Sequence, residues 1–245
     1  MGVSERVEEV SIYAHRGMSG TFPENTMTAF QAALNAGVEG IELDVQMSRD
    51  GHLVIIHDEK INRTTNGKGY VKDLTLEELL GFDAGGWFSS DFIGEGLPSL
   101  QLVLEWLLEE GNDLTLNIEL KNDIIAYDGM ERKVLDLIDR YQLQDRVIIS
   151  SFNASSLKKV KAINPNISVG YLIAGVKKDA IKIANDIGAD AIHCQPSYAL
   201  STYGREAIEK GYPLRVYTVN ERAVKEQLVE TGVEVIMTDV PEHLK

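Results

Sequence analysis

The chain has 245 residues, 44% of them hydrophobic and 25% charged, with a formal net charge of −14. That is the size of one large α/β domain with a sizeable core, and the acidic balance excludes a nucleic-acid binder, which needs a basic surface. Net negative charge also repels anionic ligands at long range, so a phosphate-bearing substrate has to be held by local cations.

No stretch reaches the ~18 consecutive apolar residues of a membrane-spanning helix, so no stable membrane association is expected. The opening MGVSERVEEVSIYAHRG has neither a basic n-region nor an apolar h-region. Arg6 stands where a myristoylation pattern after Gly2 requires Ser or Thr. The single cysteine, Cys194, has no partner for an internal disulfide and suits a reducing, cytoplasmic location.

Taken in chain order, β-rich runs alternate with amphipathic helical stretches. Strands are predicted near 11–15, 40–46, 114–120, 146–151, 168–173, 190–195, 214–219 and 234–239. Helices fit between them near 26–36, 99–110, 131–140, 154–163, 177–187, 202–210 and 221–230, with a stub after Pro241. Gly37, Gly111, Gly188, Gly211 and Gly232 follow helices as stop signals. Eight such units predict a closed (β/α)₈ barrel. The runner-up, an open doubly wound sheet, lacks its phosphate-cradling glycine fingerprint. After the second strand the chain runs through LVIIHD (53–58) and a stretch too long for a simple βα loop. Residues 59–98 are therefore read as a small cap within a single catalytic domain spanning 1–245.

Strand side chains alternate faces. In GIELDVQ, Ile41, Leu43 and Val45 point one way, and Glu42 and Asp44 the other; in LTLNIELK, Asn117, Glu119 and Lys121 oppose Leu116, Ile118 and Leu120. The charged faces are expected to project into the barrel at the carboxyl ends of its strands. Three converging carboxylates repel and desolvate one another unless a cation balances them. Mg²⁺ or Ca²⁺ suits Glu42, Asp44 and Glu119 as oxygen ligands; the alternative is a structural ion-pair network with Lys121 and Arg16.

His15 ends the first strand and His57 ends the LVIIHD run beside Asp58, positions suited to an acid–base pair acting across one phosphorus centre. His52, His193 and His243 read as structural. Arg16 offers a planar fork for phosphate oxygens and Lys121 a point charge, while Gly17 permits a turn other residues resist. In FPENTM, Asn25 or Thr26 caps the first helix, and Glu24 and Asn25 stand beside the His15 loop as candidate support. Gln195 and Tyr217 are expected to face the lumen, and Phe22 and Trp87 to supply apolar walls.

The ordered set HRG (15–17), PENT (23–26), ELD (42–44), HD (57–58) and ELK (119–121) resembles the glycerophosphodiester phosphodiesterase family. So do RTTNGKG (63–69), TLEEL (75–79), PSL (98–100) and TVN (218–220), and the resemblance covers essentially the whole chain. It implies a (β/α)₈ barrel with a small insertion after the second strand. It also implies hydrolysis of glycerophosphodiesters, the deacylated phospholipid head groups, to glycerol 3-phosphate and an alcohol. By position, it implies Glu42, Asp44 and Glu119 as metal ligands, His15 and His57 as the acid–base pair, and Arg16 and Lys121 as phosphate binders, with Glu24 and Gln195 at lesser positions. Tyr217 stands where many relatives carry Trp, a departure that bears on substrate preference. Rival readings are a lysophospholipase D-like activity and a non-catalytic glycerophosphodiester binder. A barrel aldolase or isomerase would need a Schiff-base lysine or a late glycine loop, which is not found.

Overall fold

The computed structural model describes residues 10–245, so the expectations about the first nine residues lie outside the described part of the chain. The strands are β1 (Ser11–His15), β2 (Gly40–Met47), β3 (Leu53–Ile55), β4 (Thr115–Leu120), β5 (Val147–Ser151), β6 (Ser168–Leu172), β7 (Ala191–Cys194), β8 (Leu214–Val216) and β9 (Val235–Thr238). All but β3 run parallel, in the spatial order β1-β9-β8-β7-β6-β5-β4-β2, and β1 pairs with β2 to close the ring. This is the predicted (β/α)₈ barrel. The remaining strand, β3, pairs antiparallel with β2 through Val45↔Ile55 and Met47↔Leu53.

The helices are α1 (Met27–Asn35), α2 (Leu76–Leu80), α3 (Leu100–Leu107), α4 (Met130–Tyr141), α5 (Ala154–Ile163), α6 (Ala180–Ile187), α7 (Pro196–Ala199), α8 (Thr202–Glu209), α9 (Arg222–Thr231) and α10 (Pro241–Leu244). Side-chain caps start several of them: Thr26 accepts from Ala29 N, Ser99 from Leu102 N, and Asn153 from Ser156 N. Gly188 and Gly232 end α6 and α9 in the left-handed conformation, as the stop signals required. Two short helices had no periodic signal. α2 is made by a reciprocal capping box between Thr75 and Glu78, and α7 starts at Pro196, a residue preorganised for a first turn.

The alternation in β2 and β4 works as expected. Ile41, Leu43, Val45, Leu116, Ile118 and Leu120 are buried in the main core between strands and helices. A separate cluster of Val54, Ile56, Ile61, Val71, Leu79, Ala84 and Leu97 gives the stretch after β3 its own apolar centre. Inside the barrel, Tyr13, Ile148, Val235 and Met237 pack together with Tyr217.

One strand is shorter than its composition suggests. β8 ends at Val216 rather than 219. Tyr217 N–H donates to Cys194 of β7, whereas Val219 N–H donates to Met237 of β9. Residues two apart in a regular strand bond the same neighbour, so the ladder is broken between them. The Tyr217–Thr218 peptide is cis.

Candidate active site

Glu42 and Asp44 on β2 lie in register with Asn117 and Glu119 on β4, which puts all three acids on the inner face of the barrel wall. Glu42, Asp44 and Glu119 are buried, and one oxygen of each lies within 4.8 Å of the others. Burial, then repulsion from Asp44 and Glu119, holds the Glu42 carboxyl well above the usual range. Burial and then Asp44 push Glu119 up to about 7 against the pull of Lys121. For Asp44 burial acts in the same direction, but Arg16, His57 and Lys121 outweigh it and keep this carboxyl below its ordinary value.

Cations already answer part of this charge. Lys121 Nζ is 2.8 Å from Glu119 Oε1 and 3.9 Å from Asp44 Oδ1; Arg16 Nε is 3.2 Å from Asp44 Oδ2, and the Arg16 backbone N–H donates to Glu42 Oε2 at 3.0 Å. Yet Glu42 Oε1 and Asp44 Oδ1 remain buried without a hydrogen-bond partner among the described residues. Orphaned carboxylate oxygens cost free energy in a protein interior. An all-oxygen set with two such atoms fits a hard divalent cation, so an ion-pair network alone does not satisfy this site.

Both site histidines have their Nδ1 anchored by a carboxylate. Asp239 Oδ1 lies 2.7 Å from His15 Nδ1 and Asp58 Oδ1 lies 2.7 Å from His57 Nδ1. An accepting carboxylate fixes the proton on Nδ1 and leaves Nε2 to the site. His15 Nε2 is 3.9 Å from Glu42 Oε2, and His57 Nε2 is 3.3 Å from Lys121 Nζ, so the two rings address the site from the end of β1 and from the segment just after β3.

The first βα loop completes the wall. Arg16 and Asn25 both adopt left-handed backbone conformations, with φ of 56° and 59°; such residues concentrate at functional sites. Between the two candidates for the α1 cap, Thr26 is the cap, while buried Asn25 instead donates Nδ2 to Asp44 Oδ2 at 2.9 Å. Glu24 accepts from Arg16 Nη1 at 2.9 Å and is gripped from the other side by Arg63.

The outlying candidates sit at the rim. Gln195, one residue beyond β7, is exposed and accepts from Gly175 N, and Tyr217 donates its OH to Ile173 O with its ring edge-on to Phe152. Phe22 packs on Phe92, which leads through Phe88 to Trp87. Trp87 is 40% exposed and donates Nε1 to Ala84 O. Neither His52 nor His243, both exposed, joins the acid cluster, and His193 is fully buried beside Arg215, where burial and then that guanidinium keep its ring well below the usual range.

Sequence reasoning passed over three residues: Asp239, Asn220 and Arg63. Asn220 Nδ2 donates to Asp239 Oδ2 at 2.7 Å. Asp239 reaches the site only through barrel closure, where the parallel register Ala14↔Thr238 makes the residue after Thr238 a neighbour of His15.

The model of the Glycerophosphoryl diester phosphodiesterase family matches residues 15–243. A glycerophosphodiester phosphodiesterase of Caldanaerobacter subterraneus subsp. tengcongensis is 41% identical over 233 residues, covering 95% of each chain. One from Bacillus altitudinis is 40% identical, again over 95% of each. Among solved structures, an Oleispira antarctica phosphodiesterase in complex with the product sn-glycerol-3-phosphate superposes with a TM-score of 0.87 at 28% identity, covering 96% of this chain and 94% of that one. The Agrobacterium tumefaciens glycerophosphodiester phosphodiesterase gives 0.83 at 31% identity, over 96% and 99%. A match across nearly the whole chain, at these identities, makes this protein a member of the glycerophosphodiester phosphodiesterase family.

Proposed function

We propose that the protein hydrolyses glycerophosphodiesters to sn-glycerol 3-phosphate and an alcohol, using His15 and His57 as the general acid–base pair. The observation that carries this reading is the pair of carboxylate-anchored imidazoles, His15 on Asp239 and His57 on Asp58, set around one buried acid cluster. Two such groups supply what phosphodiester hydrolysis needs: one takes the proton of the nucleophile, the other gives a proton to a departing alkoxide of high pKa. The Oleispira antarctica protein's complex with sn-glycerol-3-phosphate supports the same product here.

Glu42, Asp44 and Glu119 would hold Mg²⁺ or Ca²⁺, and the ion when bound would offset charge on the phosphoryl oxygens. Arg16 and Lys121 supply the local cations that a chain of net charge −14 needs to hold an anionic substrate. Their side chains are fixed before substrate arrives, Arg16 by Glu24 and Lys121 by Glu119, which keeps the cost of ordering them low. Asn25 supports Asp44, and Phe22, Gln195 and Tyr217 line the substrate's way in.

Residues 59–98 act as a cap on a single catalytic domain; their own apolar cluster and the reach of Arg63 to Glu24 support this. Among the described residues no helix is long and apolar enough to cross a membrane. Buried, unpaired Cys194 accords with a reducing, cytoplasmic setting.

The test is release of glycerol 3-phosphate from glycerophosphocholine and glycerophosphoethanolamine with Mg²⁺, with Ca²⁺ and with EDTA. Release that EDTA abolishes and one ion restores is expected. A folded protein that releases none under any condition overturns the reading.

A further inference from the structure

Arg63 belongs to the stretch after β3, and its side chain makes four hydrogen bonds to two carboxylates outside the acid cluster. Nη1 and Nη2 donate to Glu24 Oε2 and Oε1 at 2.7 and 2.9 Å. The other edge of the guanidinium, Nε and Nη2, donates to Asp58 Oδ2 and Oδ1 at 2.8 and 2.9 Å. Each carboxylate is already committed to a site residue. Asp58 Oδ1 is the atom that anchors His57 Nδ1, and Glu24 Oε1 is the atom that accepts from Arg16 Nη1. A continuous chain of contacts therefore runs His57–Asp58–Arg63–Glu24–Arg16.

We propose that Arg63 is a positioning residue: its guanidinium clips Asp58 to Glu24 and thereby sets His57 and Arg16 at a fixed separation across the site. Only a planar fork bonds two carboxylates edge by edge; a lysine ammonium at the same place keeps the charge and loses the geometry. The Arg63 side chain is 43% exposed, and exposed ion pairs add little to stability. Arg63 therefore acts on turnover more than on folding. The clip also ties the insertion to the first βα loop, so displacement of the insertion is felt at both His57 and Arg16.

This inference rests on the proposed catalytic roles of His57 and Arg16, and the experiment separates the two. Arg63→Ala, Arg63→Lys and the wild type are compared for kcat, KM and Tm with glycerophosphocholine, and Arg63→Ala is also assayed with added guanidinium ion. Expected are a kcat loss on the order of tenfold or more in both variants, a KM changed by less, and a Tm lowered by no more than about 4 °C. Added guanidinium partly restores the Ala variant. Near-normal kcat in Arg63→Ala, or full rescue by Lys, overturns the clip.

Should the wild type prove inactive, the imidazole ¹⁵N resonances still decide the matter. In Arg63→Ala those of His57 shift while those of His15, anchored independently by Asp239, stay in place. Unmoved His57 resonances refute the proposal with or without turnover.

Discussion

Asp239 and His15 stand 224 positions apart in the chain, yet Asp239 Oδ1 lies 2.7 Å from His15 Nδ1. The last barrel strand delivers this carboxylate to the first, because β9 pairs with β1. Ser19 Oγ and Asn220 Nδ2 also donate to Asp239, at 2.9 and 2.7 Å, which fixes its orientation. Replacing it by asparagine keeps the shape but offers an amide N–H₂ to Nδ1, favouring the wrong tautomer. Asp239→Asn is expected to lower kcat by about 10²-fold or more, with little effect on KM. Steady-state kinetics with glycerophosphocholine check this; an unimpaired kcat removes Asp239 from the positioning of His15.

Acid should unfold the protein through the same anchors. For Asp239 burial raises the carboxyl, but the hydrogen bond and charge of His15 outweigh it and hold the group at about 2. Hydrogen bonds from Arg63 first, opposed by burial, hold Asp58 at about 2 as well. An unfolded aspartate titrates near about 3.9. Because the folded values lie lower, this stabilisation is fully present above about pH 4 and is lost as pH falls towards 2. Asp239 contributes on the order of 1–2 kcal/mol, and the more exposed Asp58 about 1 kcal/mol or less, after solvent screening is allowed for. Melting curves between pH 2 and 6 should show Tm dropping steeply below pH 4, and less steeply in Asp58→Asn and Asp239→Asn. Parallel pH dependences in wild type and variants contradict the account.

Gly17 is a third point where geometry gives a number. Its φ is +78°, and a Cβ there would lie 2.7 Å from the backbone carbon and 2.8 Å from the oxygen of Ala29, in the first turn of α1. Alanine at this position suffers both a strained conformation and a clash with main chain that has no room to yield. Gly17→Ala is expected to cost on the order of 2–4 kcal/mol, a Tm loss of about 5–15 °C. Since the residue follows His15 and Arg16 directly, activity should fall further than the folded fraction does. A variant with wild-type Tm would show that the loop relaxes.

Much of this site could be read before the fold was seen, and the boundary is physical. Period-2 alternation in GIELDVQ and LTLNIELK already assigned Glu42, Asp44 and Glu119 to one face, because strand geometry is local. His57 and Asp58 are adjacent in sequence, so their pairing needed only a favourable rotamer. Asp239 depended on closure of the barrel, a relation between the two ends of the chain that no local pattern carries. Arg63 lies 39 positions from Glu24 within a stretch lacking strand or helix periodicity, so its double grip has no local signal even though RTTNGKG matches a family motif. The break after Val216 was hidden for the opposite reason: Tyr217, Thr218 and Val219 have strand propensity, and tertiary bonding to two different neighbours overrides it. At the α1 start, Asn25 and Thr26 both had capping chemistry, and the demand of Asp44 for a donor decided between them.

Glu42→Gln separates the cost of the acid cluster from its use. In the metal-free protein Glu42 is buried beside Asp44 and Glu119, with Oε1 lacking a hydrogen-bond partner among the described residues. Removing its charge relieves repulsion and desolvation, while the remaining amide oxygen can still accept from the Arg16 N–H. In EDTA the variant is therefore expected to be more stable than wild type, by about 1–3 kcal/mol, or several degrees in Tm. With Mg²⁺ or Ca²⁺ added the order should reverse. Ligand binding to the folded state raises the wild-type Tm with ion concentration, and a variant short of one anionic ligand gains much less. Differential scanning fluorimetry across an ion titration reads both effects without any turnover assay. A wild-type Tm indifferent to both ions means the three acids do not form a cation site. A Glu42→Gln protein destabilised even in EDTA means that its carboxylate is instead part of a structural network.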